Sequence, residues 1–275
     1  MSDDIDFTKP LIPWQIVQIA RMQGRPLIGD YIAGMCEDFV ELHGDRAFGD
    51  DRGLIGGFAT IGGQRVMLIG HQKGASVEEK IACNFGMANP EGYRKAMRLM
   101  RLAEKYHLPV VSLVDTPGAY PGLEAEARGQ AEAIARNLTV MATLRTPFII
   151  VVTGEGGSGG ALGIAVGDVV LMLQYAIYSV ISPEGCASIL WRDGKRAPEA
   201  AEAMKITAQS LLDLGVIDEI LPEPPGAAHS DPAAMVKTVK AAVLRRIKEL
   251  KPLAGDELAT RRYAKLRRMA SPTLA

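Results

Sequence analysis

The chain has 275 residues, 48% of them hydrophobic, enough to bury the core of one large domain or two small ones. Three scattered cysteines, Cys36, Cys83 and Cys186, argue against a disulfide framework or a CxxC zinc site. A net charge of −1, an acidic start (MSDDIDFTK) and no apolar run of membrane-spanning length argue against secretion and integral membrane placement, so the chain reads as cytoplasmic. The charge is uneven: from Lys237 to the end, eleven Lys or Arg face three acids, which reads as a solvated helical face rather than a nucleic-acid site.

The first fifty residues predict short amphipathic helices over Trp14–Arg21 and Asp30–Leu42. GDRAFGDD, Gly44 to Asp51, reads as a polar surface loop, with cation binding by its acids as the lesser alternative. Two strands joined through Gly62 and Gly63 follow, Leu54–Ile61 and Arg65–Ile69. The second runs on into His71, Lys73 and Gly74 and then a helix. Asn89 as N-cap and Pro90 at the first helical position predict a helix to about Tyr106. One face of it is apolar (Tyr93, Ala96, Met97, Met100, Ala103), and a second stripe is basic (Arg94, Arg98, Arg101, Lys105) and reads as solvated.

Val110–Asp115 reads as a buried strand running into a glycine turn, TPGAYPG, and a helix from about Glu124 to Leu144. Phe148–Val152 is another buried strand, followed by GEGGSGG, Gly154 to Gly160, and a helix start. Strand, glycine turn and helix thus occur three times, at Gly74, Gly118 and Gly157, which argues for an α/β core built largely on parallel strands. Val169–Leu173 and Ala176–Ile181 read as short strands before SPEG at Ser182, and the remainder as helical with breaks at Pro222–Gly226 and Pro252–Gly255.

The stretch from Phe148 to Gly167 offers bare helix-start N–H groups to an anion or oxyanion. A P-loop is rejected because no lysine follows Gly159 and Gly160, and a dinucleotide fingerprint lacks its acid about 20 residues on. Gly156, Ser158 and Gly160 satisfy GxSxG at a strand-to-helix turn. A serine hydrolase with nucleophile Ser158, Asp193 or Asp218 and His229 is available in chain order, while His71 and His107 precede the serine. Glycines serving only close packing are a further reading. In the last, N–H groups at Gly118 and Ala119 converge with those at Gly156 and Gly157 as oxyanion donors, each worth about 2.7–4 kcal/mol in acyl-transfer enzymes.

The runs GHQKG, NFGMANPEGYRKAMRLM, DTPGAYPG, ARGQAEAIARNL, GEGGSGGALGI and MLQYAIYSVISPEGCASILW resemble the α subunit of the bacterial acetyl-CoA carboxylase carboxyltransferase. The likeness continues to the terminal RRYAKL. It implies a crotonase-like (ClpP/crotonase) spiral of ββα units, with a helical N-terminal extension over 1–50, a core over 51–225 and basic C-terminal helices over 226–275. The resemblance also implies transfer of carboxylate from carboxybiotin, carried on a biotin carboxyl carrier protein loaded by biotin carboxylase, to acetyl-CoA. Malonyl-CoA for fatty acid synthesis is the product, with free biotin nitrogen as the base. It implies an α2β2 assembly in which the β subunit supplies the CoA side and carries the zinc ribbon, leaving no metal in this chain. Carried over by position, Gly156 and Gly157 would serve the ureido oxygen, so that a side chain at Gly157 would fill the space that group needs. The Gly118–Ala119 turn corresponds to the other oxyanion loop. Family members often carry a long helical segment ahead of the region at Trp14, where this sequence has a short acidic lead.

Overall fold

The computed structural model describes residues 5–269; the ends of the proposed N- and C-terminal extensions, 1–4 and 270–275, lie outside it. Two short helices come first, α1 (Pro13–Ala20) and α2 (Ile28–Met35). The helix expected over Asp30–Leu42 ends at Met35, because the next residues form β1 (Cys36–Glu41), paired antiparallel with β2 (Leu54–Ile61). Sheet pairing overrides the local helical period there, and the sheet begins inside the stretch expected to be helical. β2 turns into β3 (Gln64–His71) through Gly62 and Gly63, whose φ values of 55° and 72° suit a two-residue hairpin turn.

Next come α3 (Val77–Ala82), α4 (Pro90–Lys105), β4 (Val110–Thr116), α5 (Leu123–Ala127) and α6 (Gln130–Thr143). The single helix expected from Glu124 to Leu144 is two, broken at Gly129, which takes a φ of 81°. Asn89 does precede α4, but its side chain accepts from Arg128 at 3.3 Å and does not cap the helix. β5 (Phe148–Gly157), α7 (Ser158–Leu162), β6 (Val169–Leu173) and β7 (Ile177–Ser179) follow, then α8 (Pro183–Trp191), α9 (Ala197–Ala203) and α10 (Ala208–Asp213). The unexpected strand β8 (Glu219–Leu221) precedes α11 (Pro232–Leu250) and α12 (Gly255–Met269).

The sheet runs β1-β2-β3-β4-β5-β6-β8, antiparallel up to β3 and parallel beyond it. β5 has two partners on one side. Its first half, Ile149 to Val152, pairs with β6, and its last three residues pair with β7. The parallel strands β4, β5 and β6 are buried almost throughout, which explains their unbroken apolar sequence. α4 covers the sheet with Tyr93, Ala96, Leu99, Met100 and Ala103, all fully buried.

The basic stripe of α4 faces protein, in part, rather than water. Arg94 meets Asp45 at 2.7 Å, and Arg98 donates to the Gly44 carbonyl at 3.0 Å. The neighbouring Lys95, fully buried, pairs with Asp50 at 2.5 Å. The Gly44–Asp51 segment is a loop as expected, but its acids point inward. Asp45 also accepts from the N–H groups of Ala47, Phe48 and Gly49. Among the described residues, no group of three or more His, Cys, Asp or Glu is arranged to hold a metal ion, and no helix is long and apolar enough to cross a membrane.

Most cations of the basic C-terminal helices are exposed, as expected, but one is buried. Arg262 of α12, 1% exposed, pairs with Asp168 at 2.8 Å and donates to the carbonyls of Met141 and Leu144 at 2.7 and 2.8 Å, at the end of α6. A cation placed there also suits the negative end of that helix.

Arg262→Met is expected to cost about 3–5 kcal/mol, because it strands buried Asp168 and two carbonyls; urea denaturation showing a loss below about 1 kcal/mol would contradict the role given to this anchor. Asp45 makes a second prediction. Burial acts to raise its pKa, but three N–H donors and Arg94 bring it from 3.8 to about 2. A carboxylate held below its unfolded pKa adds stability above that pKa and loses it as pH falls through the folded one. The stability difference between wild type and Asp45→Asn is therefore expected to shrink from pH 5 toward pH 2 in urea titrations, and a pH-independent difference would count against it.

Candidate active site

β4 and β5 run side by side, Val110 opposite Phe148 through Val114 opposite Val152, so their glycine turns emerge at the same end of the sheet. Ligands of parallel sheets collect at the carboxyl ends of strands. The first turn is closed on itself: the Thr116 hydroxyl donates to the Gly118 carbonyl at 2.7 Å and accepts the Gly118 N–H at 3.1 Å. Tyr120 N–H goes to the Ala88 carbonyl at 3.1 Å. Between them, the N–H of the half-buried residue Ala119 finds no acceptor among the described residues.

The second turn differs from expectation. The strand expected to end at Val152 continues to Gly157, with Gly156 opposite Tyr178 and Gly157 opposite Ser179, because β7 supplies a partner for this last segment. The helix start is at Ser158, which takes a φ of 53°, a left-handed conformation uncommon for a residue with a side chain.

The two turns touch backbone to backbone. A Cβ built on Gly157 would overlap the Pro117 carbonyl, and one on Gly160 would overlap the Gly118–Ala119 peptide. The Thr116–Ala119 turn and the Gly157–Gly160 segment are thus neighbours. The bareness of Gly157 is taken up by protein, however, and not by an open cradle. At Gly118 a Cβ would meet nothing within 4 Å. Gly157 and Gly160 thus let the backbones meet, Gly154 and Gly156 make room for the side chains of Asp115 and Tyr178, and Gly118 borders free space.

An ion network lies behind the turns. Lys73, after β3, meets Asp115 at 2.7 Å and Glu155 at 3.0 Å, and Arg21 meets Glu155 at 2.7 Å and Glu184 at 2.6 Å. Burial works against the Lys73 ammonium, but Asp115 and Glu155 more than offset it and its pKa stands above the ordinary lysine value. Burial likewise opposes the Glu155 carboxylate, and Lys73 and Arg21 outweigh it, holding the pKa below normal. A cleft of about 390 Å³ opens beside this network, lined by Arg21, Arg25, Lys73, Lys80 and Asp115 among others. The sequence carries a signal of this network that motif patterns do not contain, an acid beside the first glycines of each turn, Asp115 and Glu155.

Among the described residues no hydrolase triad is assembled. Ser158 is exposed and shares no hydrogen bond with a histidine. Asp193 accepts from Lys195 N–H at 2.9 Å, Asp218 accepts from Val170 N–H at 2.6 Å, and His229 lies beside Gly24. His71 is buried, and burial drives its pKa down to about 3, so it is a neutral core residue.

This architecture occurs in solved carboxyltransferase structures. Transcarboxylase 12S superposes with a TM-score of 0.68 at 20% identity, over 86% of this chain and 44% of that one. The β subunit of Pseudomonas aeruginosa geranyl-CoA carboxylase does so with 0.63 at 16% identity, over 90% of this chain and 47% of that one. The fold is therefore the crotonase-like fold of carboxyltransferases, α/β with a mixed sheet and helical extensions. The acetyl-coenzyme A carboxylase carboxyl transferase subunit alpha of Geobacter metallireducens is 60% identical over 257 residues, covering 94% of this chain and 81% of that protein. The chain belongs to the acetyl co-enzyme A carboxylase carboxyltransferase-like family, which it matches over residues 3–270.

The turn contact makes a direct stability prediction. Gly157→Ala and Gly160→Ala are each expected to cost at least about 1–3 kcal/mol, as for other forced overpacking, while Gly118→Ala costs almost nothing. Denaturation curves in which all three behave alike would contradict this division.

Proposed function

We propose that this chain is the α half of an acetyl-CoA carboxylase carboxyltransferase, moving carboxylate from carboxybiotin to acetyl-CoA to give malonyl-CoA for fatty acid synthesis. The observation that carries the site assignment is the unpaired Ala119 N–H beside the open space at Gly118, packed against the Gly156–Gly160 turn. When bound, carboxybiotin supplies an activated carboxylate and a urea oxygen that gains negative charge as the carboxylate leaves.

Ala119 N–H and the backbone of Gly156 and Gly157 are the groups of this chain that would hold that oxygen. Fixed amide donors aimed at developing charge need no reorganisation at the moment of reaction, which is the main source of their effect. Gly118 keeps the approach clear, and Thr116 fixes the turn by bonding both Gly118 backbone groups. Gly157 and Gly160 hold the two turns at contact distance. Asp115 and Glu155, already paired with Lys73, take no proton in this scheme.

The reading includes a β subunit that supplies the CoA side in an α2β2 assembly, a biotin carboxyl carrier protein that delivers the prosthetic group, biotin carboxylase upstream, and a cytoplasmic setting. Catalysis by this chain alone is not part of it.

Gly118→Val separates the site from the fold, because its side chain enters free space rather than the turn contact. In complex with the β subunit, with malonyl-CoA and free biotin as reactants, this variant is expected to keep its melting temperature and lose about 10²–10³-fold in rate. Wild-type turnover by the Gly118→Val complex would overturn the assignment of this turn.

A further inference from the structure

One lysine reaches the acids that precede both glycine turns. Asp115 is followed directly by the Thr116–Ala119 turn, and Glu155 by Gly156 and Gly157. Lys73, from a third segment, has its ammonium within 3.0 Å of both carboxylates. The same Asp115 oxygen that meets Lys73 also accepts the Glu155 backbone N–H at 2.9 Å. Gly154 makes room for it, since a Cβ there would lie 2.5 Å from that oxygen. Arg21 takes the other oxygen of Glu155.

The side chains of Lys73, Asp115 and Glu155 are only 19%, 14% and 11% exposed. Burying ions costs several kcal/mol per charge, and well-packed apolar residues often serve stability as well or better. A buried cluster is therefore poorly explained by stability alone. What it does provide is directional geometry: the bonds tie the carboxyl ends of β4 and β5 to each other and to a third segment just before the turns begin.

We propose that Lys73 is a positioning residue, whose grip on Asp115 and Glu155 sets the separation between the Ala119 donor and the Gly156–Gly157 backbone. It touches no reacting atom. The proposal rests on the oxyanion reading given above, and it assigns to side chains the alignment of a site whose donors are all backbone.

The alternative, that Lys73 only neutralises buried acids, is distinguished by a pair of variants. Lys73→Met leaves Asp115 without its cation, whereas Glu155 keeps Arg21. Lys73→Met/Asp115→Asn removes that unpaired charge and keeps an acceptor for the Glu155 N–H. Both are assayed in the complex with the β subunit, using malonyl-CoA and biotin, alongside thermal melts. Lys73→Met is expected to lower kcat about 100-fold, the effect of a misplacement near 1 Å. KM for both reactants should stay within about threefold. In the double variant the melting temperature should recover while kcat remains low.

Unchanged kcat in Lys73→Met, or recovery of kcat together with melting temperature in the double variant, would overturn the positioning role. Where Lys73→Met alone fails to assemble, the double variant carries the test. Full activity of Gly118→Val overturns both this proposal and the reading beneath it. An inactive Gly118→Val beside a fully active Lys73→Met overturns this proposal alone.

Discussion

Everything at the candidate site depends on one contact, the backbone-to-backbone meeting of the turns that end β4 and β5. Parallel pairing carries the two strands in register from Val110 and Phe148 to Val114 and Val152, and the register shifts before Thr116 pairs with Gly156. Beyond that shift nothing but glycine fits at positions 157 and 160. The apolar strands supply the driving force, since burying them is favourable by about 25 cal/mol per Å². They do not supply the alignment of the turns. That comes from short polar ties: Thr116 within its own turn, Asp115 to the Glu155 N–H, and Lys73 across both acids.

The fork in β5 has a related role. A strand of ten residues passes from β6 to β7 along one edge, and the passage lets its last residues reach the turn contact while its first half stays in the main sheet. At the other end, Asp168 accepts the Phe148 N–H at 2.8 Å and is itself held by Arg262. The strand that carries the site is thus fastened at both ends by charged groups, one from the C-terminal helix and one set from the loops around Lys73 and Arg21.

Much of this was legible in the sequence, and the parts that were not share a physical cause. α4 is legible to within one residue because Pro90 and a helical apolar period sustained over sixteen residues define it locally. The glycine runs after β4 and β5 are plain in the letters, though not where the second strand ends, and the family resemblance implies the fold. What was missed depends on partners distant in sequence. β1 resembles a helix end until β2 pairs with it, β8 is three residues long, and β5 runs past Val152 only because β7 is beside it. In the basic stripe of α4, Arg101 and Lys105 are solvated as charge on a helix usually is, whereas Arg94 and, in α12, Arg262 are drawn inward by acids that lie 49 and 94 residues away, Asp45 and Asp168. The space left by the missing side chain of Gly157 is likewise filled from a distant segment, by the Pro117 carbonyl. A sequence shows that a glycine leaves space, not which atoms occupy it.

The unpaired Ala119 N–H has one further consequence. A backbone amide neither gains nor loses a proton across the range in which proteins stay folded, unlike the histidines and carboxylates most active sites employ. An oxyanion donor of this kind keeps its strength at every such pH. On the proposed reading the donor itself works as a fixed electrostatic mould, and any effect of pH within this chain acts through the side chains that align the turns, Lys73 and Glu155 among them.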